Sequence, residues 1–206
     1  MPEFAVSSST CGETIRVTIL LDLNPYVQLT EDQFFDLCQR HPFLKLERTP
    51  RGEIVIMPPC GGETGSRNTK LIQRLANWAE ADGGGVAFDS NTGFRLPKGG
   101  ERSPDAAWVA RRRWESLLPE DRRKFPPLCP DFVVELMSPS DSLREIQAKM
   151  LEYLENGARL GWLLDPETGQ ALIYRPGRAV EVQVHPRTLS GEDVLVGFVL
   201  DLDGIL

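Results

Sequence analysis

The sequence has few residues that could bind a transition metal or build a disulfide framework. Its two histidines and four cysteines are scattered over 206 residues, and no two cysteines form a CxxC pair. Structural zinc sites and disulfide-rich domains depend on closely spaced sets of these residues. The sequence therefore argues against both, and its cysteines are typical of a reducing compartment.

Long apolar runs are also missing. No stretch approaches the roughly 20 apolar residues that a helix needs to cross a bilayer. The first ten residues, MPEFAVSSST, have neither the basic start nor the apolar centre of a signal peptide. We therefore expect a cytoplasmic protein without a membrane partner.

Phosphate-binding motifs are absent, and the net charge has the wrong sign for a general nucleic-acid binder. The sequence contains neither GxGxxG nor GxxxxGK[ST], and its formal net charge is −7. Basic runs occur at 111–113 and 122–124, either as part of a basic face or, the simpler interpretation, as a solvated helical surface. A nucleic-acid role therefore needs a local basic face or a metal ion to offset repulsion.

The length and composition are typical of one globular domain, with 41% hydrophobic and 26% charged residues. We expect a polar tail at 1–14 and a single domain at 15–206. Helices are predicted at 30–40, 63–80, within 111–124 and from about 142, with capping boxes at Thr30–Gln33 and Ser142–Glu145. Strands are predicted at 15–23, 43–48, 53–57, 86–94, 103–109, 132–135, 160–165, 170–175, 180–184 and 198–202. This alternation predicts a mixed α/β sheet flanked by helices.

Two of the predicted strands each carry one acid among apolar residues. Asp105 lies in SPDAAWV at 103–109, and Glu135 ends the apolar run that begins at Phe132. A carboxylate in a buried strand is costly unless a cation or backbone donors bind it. The following helix carries Lys149 at the border of its apolar stripe, with Tyr153 one turn later. We therefore expect Asp105, Glu135 and Lys149 to meet.

Two carboxylates from neighbouring strands form a hard oxygen site that suits Mg²⁺ or Mn²⁺. A nearby lysine can position or deprotonate a water molecule, or neutralise a pentavalent transition state, as phosphodiester hydrolysis requires. Each residue also has a structural alternative. Asp105 could cap a turn, Glu135 could pair with an arginine, and Lys149 could pair with Glu145 on the helix surface.

Six ordered blocks of the sequence resemble the Uma-two family of putative restriction endonucleases, within the PD-(D/E)XK restriction-endonuclease-like superfamily. The blocks are ERTPRGEIVIMPP at 47–59, GGETGSRN at 61–68, RSPDAAWV at 102–109, CPDFVVELMSPSD at 129–141, KMLEYLENG at 149–157 and GWLLDP at 161–166. The resemblance extends over residues 20–206.

The resemblance implies a restriction-endonuclease-like fold, a homodimer and a site in which Asp105 and Glu135 bind Mg²⁺ or Mn²⁺, with the carbonyl of Leu136 as a third ligand. Met137 stands where the motif's lysine is expected, so the sequence is similar to members whose lysine has moved to the next helix, here Lys149. The same resemblance gives Tyr153 the role of orienting that lysine.

An additional acid near the metal is also implied, with Glu63 preferred over Glu47. The implied function is a metal-dependent endonuclease acting on DNA. The alternative is a catalytically inactive scaffold or interaction protein of the same fold.

Overall fold

The computed structural model describes residues 18–206, so the predicted tail at 1–14 and the start of the predicted strand at 15–23 lie outside the described residues. The helices are α1 (Glu31–Arg40), α2 (Gly62–Asp82), α3 (Arg111–Glu115), α4 (Pro119–Arg123) and α5 (Leu143–Glu155). The strands are β1 (Ile19–Leu21), β2 (Lys45–Arg48), β3 (Ile54–Met57), β4 (Gly85–Asp89), β5 (Phe94–Arg95), β6 (Glu101–Arg102), β7 (Ala106–Ala110), β8 (Phe132–Leu136), β9 (Leu160–Asp165), β10 (Gln170–Tyr174), β11 (Glu181–Val184), β12 (Thr188–Ser190) and β13 (Val199–Asp201).

Two larger sheets organise the described chain, and the mixed sheet flanked by helices is confirmed. The central sheet has six strands in the order β11-β10-β9-β8-β7-β4, and the second sheet has five in the order β1-β3-β2-β6-β5. Within the central sheet, β8 and β9 are parallel and are connected through α5, whereas the other pairs are antiparallel. A parallel pair needs such a crossover connection, and α5 is therefore held against the sheet beside β8.

The side chains of β8 alternate between the two faces of the central sheet. Phe132 and Val134 belong to the core that includes Leu71 of α2, whereas Val133 belongs to the core that includes Met150 of α5. Alternation with a period of two is a property of any strand. It places Glu135 on the same face as Val133, the face that α5 covers.

The second sheet packs against α1 through a smaller core built on Phe34, Leu46 and Ile54. Because Leu46 points into this core, its neighbours Lys45 and Glu47 on β2 point to the opposite face of the strand. That face lies toward the central sheet, as the contacts of these two side chains show below.

The two predicted capping boxes have different outcomes. At α1 the prediction is confirmed, because the Gln33 backbone N–H donates to Thr30 Oγ1 at 3.2 Å and the Thr30 N–H donates to Gln33 Oε1 at 2.8 Å. At α5 the prediction is wrong, because Ser142 makes no side-chain capping hydrogen bond. Asp141 instead closes the preceding turn by accepting hydrogen bonds from the backbone N–H and hydroxyl of Ser138.

The basic runs lie in and directly after two short helices, α3 and α4, and some of their guanidiniums bind groups of the protein itself. Arg113 pairs with Asp131 at 2.9 Å, and Arg122 donates to the backbone carbonyls of Glu115 and Leu117. These contacts favour a structural role for part of this segment over a dedicated basic face. A membrane-spanning helix is not found among residues 18–206.

Candidate active site

The pairing of β7 with β8 brings Asp105 and Glu135 together. Ala106 lies opposite Val134 in this antiparallel pair, so the next positions along the two strands are Asp105 and Glu135. The Leu136 N–H donates a 2.9 Å hydrogen bond to Asp105 Oδ2. Asp105 is thus fixed across the strand pair, rather than by a cap on its own turn.

Helix α5 supplies Lys149 and Tyr153 to the same face of the sheet. Lys149 Nζ lies 2.9 Å from Glu135 Oε1, and the Tyr153 hydroxyl donates to the same oxygen at 2.9 Å. Only 11% of the Lys149 side chain is exposed, so it is buried more deeply than its predicted position at the border of the apolar stripe. The buried face is centred nearer Tyr153 than predicted, since the first stripe residue, Leu143, is 43% exposed.

Glu47, rather than the preferred Glu63, is the acid that meets Lys149. Lys149 Nζ donates to Glu47 Oε1 at 2.8 Å, and the Ser103 N–H donates to the same oxygen at 2.9 Å. Glu63 is exposed in the first turn of α2 and does not line the cavity described below. The preference for Glu63 is corrected because Glu47 on β2 contacts Lys149, whereas the Glu63 side chain is exposed at the start of α2.

Two further residues that the sequence patterns did not indicate are Arg102, which binds Glu47, and Glu152, which binds Arg102. Arg102 Nη1 donates to Glu47 Oε2 at 3.1 Å, while its Nε and Nη2 contact the Glu152 carboxylate at 3.0 and 2.6 Å. Arg102 directly precedes the SPD segment, and Glu152 lies three residues after Lys149. Their proximity to Asp105 and Lys149 in the sequence was the available signal, but only the packing of β6 against α5 shows that they contact each other.

The two glutamates that contact Lys149 have opposite pKa shifts. Burial raises the pKa of Glu135 to about 7 against the attraction of Lys149, and the carboxylates of Asp105 and Glu47 add to the rise. Burial also acts to raise the pKa of Glu47, but the positive charges of Lys149 and Arg102 outweigh it and lower this pKa to about 2. Of the two carboxyl groups, Glu47 therefore favours the ionised form, and Glu135 is the one that retains a proton more readily.

Lys149 is an ammonium donor in this arrangement. Burial acts to lower its pKa, but the charges of Glu135 and Glu47 outweigh burial and raise the pKa above its ordinary value. Burial raises the pKa of the Tyr153 hydroxyl, and Glu135 and Glu47 raise it further. Both groups therefore keep their protons and donate to Glu135.

An open cavity of about 430 Å³ gives access to the site. Asp105, Glu135 and Lys149 line it, together with Lys45, whose Nζ lies 3.7 Å from Asp105 Oδ1. Glu47 lies behind Lys149 and does not line the cavity. The side chains of Asp105 and Glu135 are 21% and 6% exposed, and both line the cavity while protein donors hold their carboxylates.

The residues fit a divalent cation with two protein carboxylates. Both contacts to Glu135 fall on Oε1, and Oε2 receives no hydrogen bond from residues 18–206. In the same range, no group of three or more His, Cys, Asp or Glu side chains is arranged to hold a metal ion. Mg²⁺ needs only one or two carboxylates when water and substrate phosphate complete its shell, so the Asp105–Glu135 pair is sufficient.

Replacing Arg102 should test how strongly the supporting ion pairs stabilise the fold. We expect Arg102→Met to lower the free energy of unfolding by roughly 3–5 kcal/mol, because it leaves Glu152 and part of Glu47 buried without their cation. Urea denaturation would measure the change. Arg51→Met is the matched control, since Arg51 pairs with Glu53 but is 80% exposed, and we expect a loss of about 1 kcal/mol or less. Equal effects of the two substitutions would contradict the stabilising role.

The chain matches a known protein family over most of its length. The family model described as "Uma2: Putative restriction endonuclease" matches residues 31–203. The chain therefore belongs to this family of putative restriction endonucleases, which supports a nuclease. A search of curated proteins found no match.

A solved structure is similar over most of its length. It is described as "a putative nuclease belonging to DUF820 from Anabaena variabilis ATCC 29413", and it shares 20% identity with a TM-score of 0.70. The alignment covers 86% of this chain and 97% of that chain. At this identity the likeness establishes a shared fold.

Proposed function

We propose that the protein is a Mg²⁺- or Mn²⁺-dependent endonuclease that hydrolyses DNA phosphodiester bonds. The observation that carries the proposal is the meeting of Asp105, Glu135 and Lys149 on the wall of one open cavity. This is a PD-(D/E)XK-type set in which the lysine comes from the helix after the second acid strand. Membership of the family supports the nuclease class.

Asp105 and Glu135 would hold the cation, with the Leu136 carbonyl as a further ligand. When bound, a divalent cation lowers the pKa of a water molecule and offsets charge on the phosphate. Asp105 is oriented for this role by the Leu136 N–H, and Glu135 by the Tyr153 hydroxyl. Tyr153 therefore positions the Glu135 carboxylate as well as packing beside Lys149.

Lys149 would orient the attacking water or neutralise charge on the phosphate. Its raised pKa favours the donor role over that of a general base. Glu47 keeps the ammonium in place, and Arg102 and the Ser103 N–H keep Glu47 in place. Because each contact is a directed hydrogen bond to a buried group, the lysine is held before substrate enters.

A non-catalytic scaffold is the second candidate, and one observation favours it. Lys149 already pairs with Glu47 and Glu135, so protein groups alone satisfy much of the buried charge. A scaffold of this kind would be insensitive to metal, and Asp105→Ala could stabilise it by relieving repulsion between carboxylates.

Calorimetric titration of Mn²⁺ separates these two candidates. We expect the wild-type protein to bind Mn²⁺ and the double variant Asp105→Ala/Glu135→Ala to lose that binding. The affinity of the wild type should rise with pH up to about 7 and level off above it, because Mn²⁺ must displace the proton that Glu135 retains below its pKa. The expected slope is up to about tenfold per pH unit.

The Glu135→Gln variant is the control for the pH dependence. It removes the titrating carboxyl, so its weaker Mn²⁺ binding should lack the rise between about pH 6 and 7. Failure of the wild type to bind Mn²⁺, with and without DNA, would favour the scaffold.

The homodimer stays a prediction, which sedimentation equilibrium can check.

A further inference from the structure

One wall of the cavity is apolar and unusually exposed. It is formed by the loop between α1 and β2, by the last residue of β3 and by the loop that follows β3, and its residues are Pro42, Phe43, Leu44, Met57, Pro58 and Pro59. The Phe43 side chain is 97% exposed, and Leu44 is 46% exposed. An isolated exposed aromatic residue needs no explanation, but an apolar wall continuous with a polar cavity is typical of a binding surface.

The apolar wall lies close to the proposed reaction centre along the chain. Phe43 is two residues before Lys45, whose Nζ lies 3.7 Å from Asp105 Oδ1. Two residues span at most about 7 Å of backbone. A group that contacts Phe43 can therefore belong to the same molecule as a phosphate bound near Asp105.

The rest of the cavity lining carries neutral polar groups instead of a basic track. The hydroxyl and amide residues of the lining are Thr18, Thr64, Asn68, Ser90, Asn91, Ser138 and Ser140. The charged lining consists of Lys45 and Lys149 against Asp105, Glu135 and Asp141. Both lysines contact carboxylates of the site, so the cavity lining offers little charge for a row of duplex phosphates.

We infer that the apolar wall is a subsite for an unpaired nucleobase that stacks on Phe43 while its phosphate lies at Asp105 and Glu135. The substrate class is thus DNA with a single-stranded segment, such as a flap or an open strand. This inference rests on the proposed function and narrows its substrate.

Stacking explains why an unpaired base fits this wall better than a duplex. A base pair in a helix hides both of its faces against its neighbours, whereas an unpaired base exposes a π-face that an aromatic side chain can cover. The hydroxyl and amide groups that also line the cavity can hydrogen-bond the edge of such a base. An intact duplex, whose bases are already stacked on each other, would gain no binding energy from Phe43.

Fluorescence anisotropy with the full chain in Ca²⁺ tests the inference without cleavage. The probes are one labelled DNA strand, the same strand in a blunt duplex, and the same strand as a flap. We expect the strand and the flap to bind at least about tenfold more tightly than the duplex. Phe43→Ala should weaken strand and flap binding about 5- to 100-fold and leave duplex binding unchanged.

Two further variants distinguish base stacking on Phe43 from a non-specific effect of removing any exposed aromatic side chain. Phe43→Trp should retain strand binding because it keeps an aromatic face. Tyr26→Ala should leave strand binding unchanged, since Tyr26 is 87% exposed but does not line the cavity. Equal binding of strand and duplex, or strand binding that is indifferent to Phe43→Ala, would overturn the subsite.

Other outcomes separate this inference from the proposed nuclease. Phe43-dependent strand binding without Mn²⁺ binding or cleavage would support the subsite and overturn the nuclease. Metal-dependent cleavage that is unchanged by Phe43→Ala, and equal for strand, flap and duplex, would support the nuclease and overturn the subsite. A dimer in sedimentation that Phe43→Ala dissociates would assign the apolar wall to a second copy and overturn the subsite.

Discussion

The Asp105→Asn variant should cleave DNA at least about a thousandfold more slowly than the wild type while remaining folded. The substitution removes the charge that a divalent cation requires, and Lewis-acid catalysis supplies several kcal/mol of transition-state stabilisation. The amide oxygen of Asn can still accept the 2.9 Å hydrogen bond from the Leu136 N–H. Cleavage rates at saturating Mn²⁺, with circular dichroism for folding, would measure the effect.

Asp131→Asn is a matched control on the same strand pair. Asp131 Oδ2 accepts a 2.9 Å hydrogen bond from the Ala110 N–H across β7 and β8, as Asp105 does from Leu136 at the other end. Asp131 does not line the cavity. We expect its variant to retain wild-type activity per folded molecule. A comparable rate loss in both variants, or none at Asp105, would contradict the metal-binding role.

Lys149→Met should reduce both activity and stability. Loss of one preorganised donor costs about 10²- to 10³-fold in catalytic rate. Removal of the ammonium also leaves Glu135 and Glu47 facing each other while buried, and breaking a buried pair costs roughly 3–5 kcal/mol. The pKa of Glu135 should rise further in this variant, because the attraction that opposes burial is gone. Single-turnover cleavage and urea denaturation would measure the two effects.

The response of the Lys149→Met variant to Mn²⁺ should show whether Lys149 lies beside a metal site or belongs only to a structural ion pair. Without the ammonium, Mn²⁺ should bind Lys149→Met more tightly and recover part of the lost stability. Lys124→Met is the control, since Lys124 and its partner Asp32 have side chains 52% and 77% exposed, and little change in stability or activity is expected. Unchanged cleavage by Lys149→Met would remove this lysine from the mechanism.

Local patterns in the sequence correctly predicted most elements near the site. The capping box at Thr30 formed because its two hydrogen bonds join residues three positions apart, a distance that the sequence itself fixes. Glu135 could be selected because an acid that ends an apolar strand needs a partner. The box at Ser142 did not form, and the side chain that bonds the backbone there is Asp141, which closes the turn before the helix. Short strands such as β6 and β12 were missed, since two or three residues carry no periodicity.

The sequence by itself predicted the class of fold and selected Asp105, Glu135 and Lys149, three residues that the structure brings together at one cavity. It left Glu47 and Glu63 as alternatives and missed Arg102 and Glu152. Only the tertiary structure shows which residues contact Glu47, because its partners are distant in the sequence. Lys149 is 102 residues from Glu47, and Arg102 is 55 residues from Glu47. The direction of each pKa shift has the same origin, since burial and neighbouring charge exist only once the β2 strand, the β7–β8 pair and α5 are packed together.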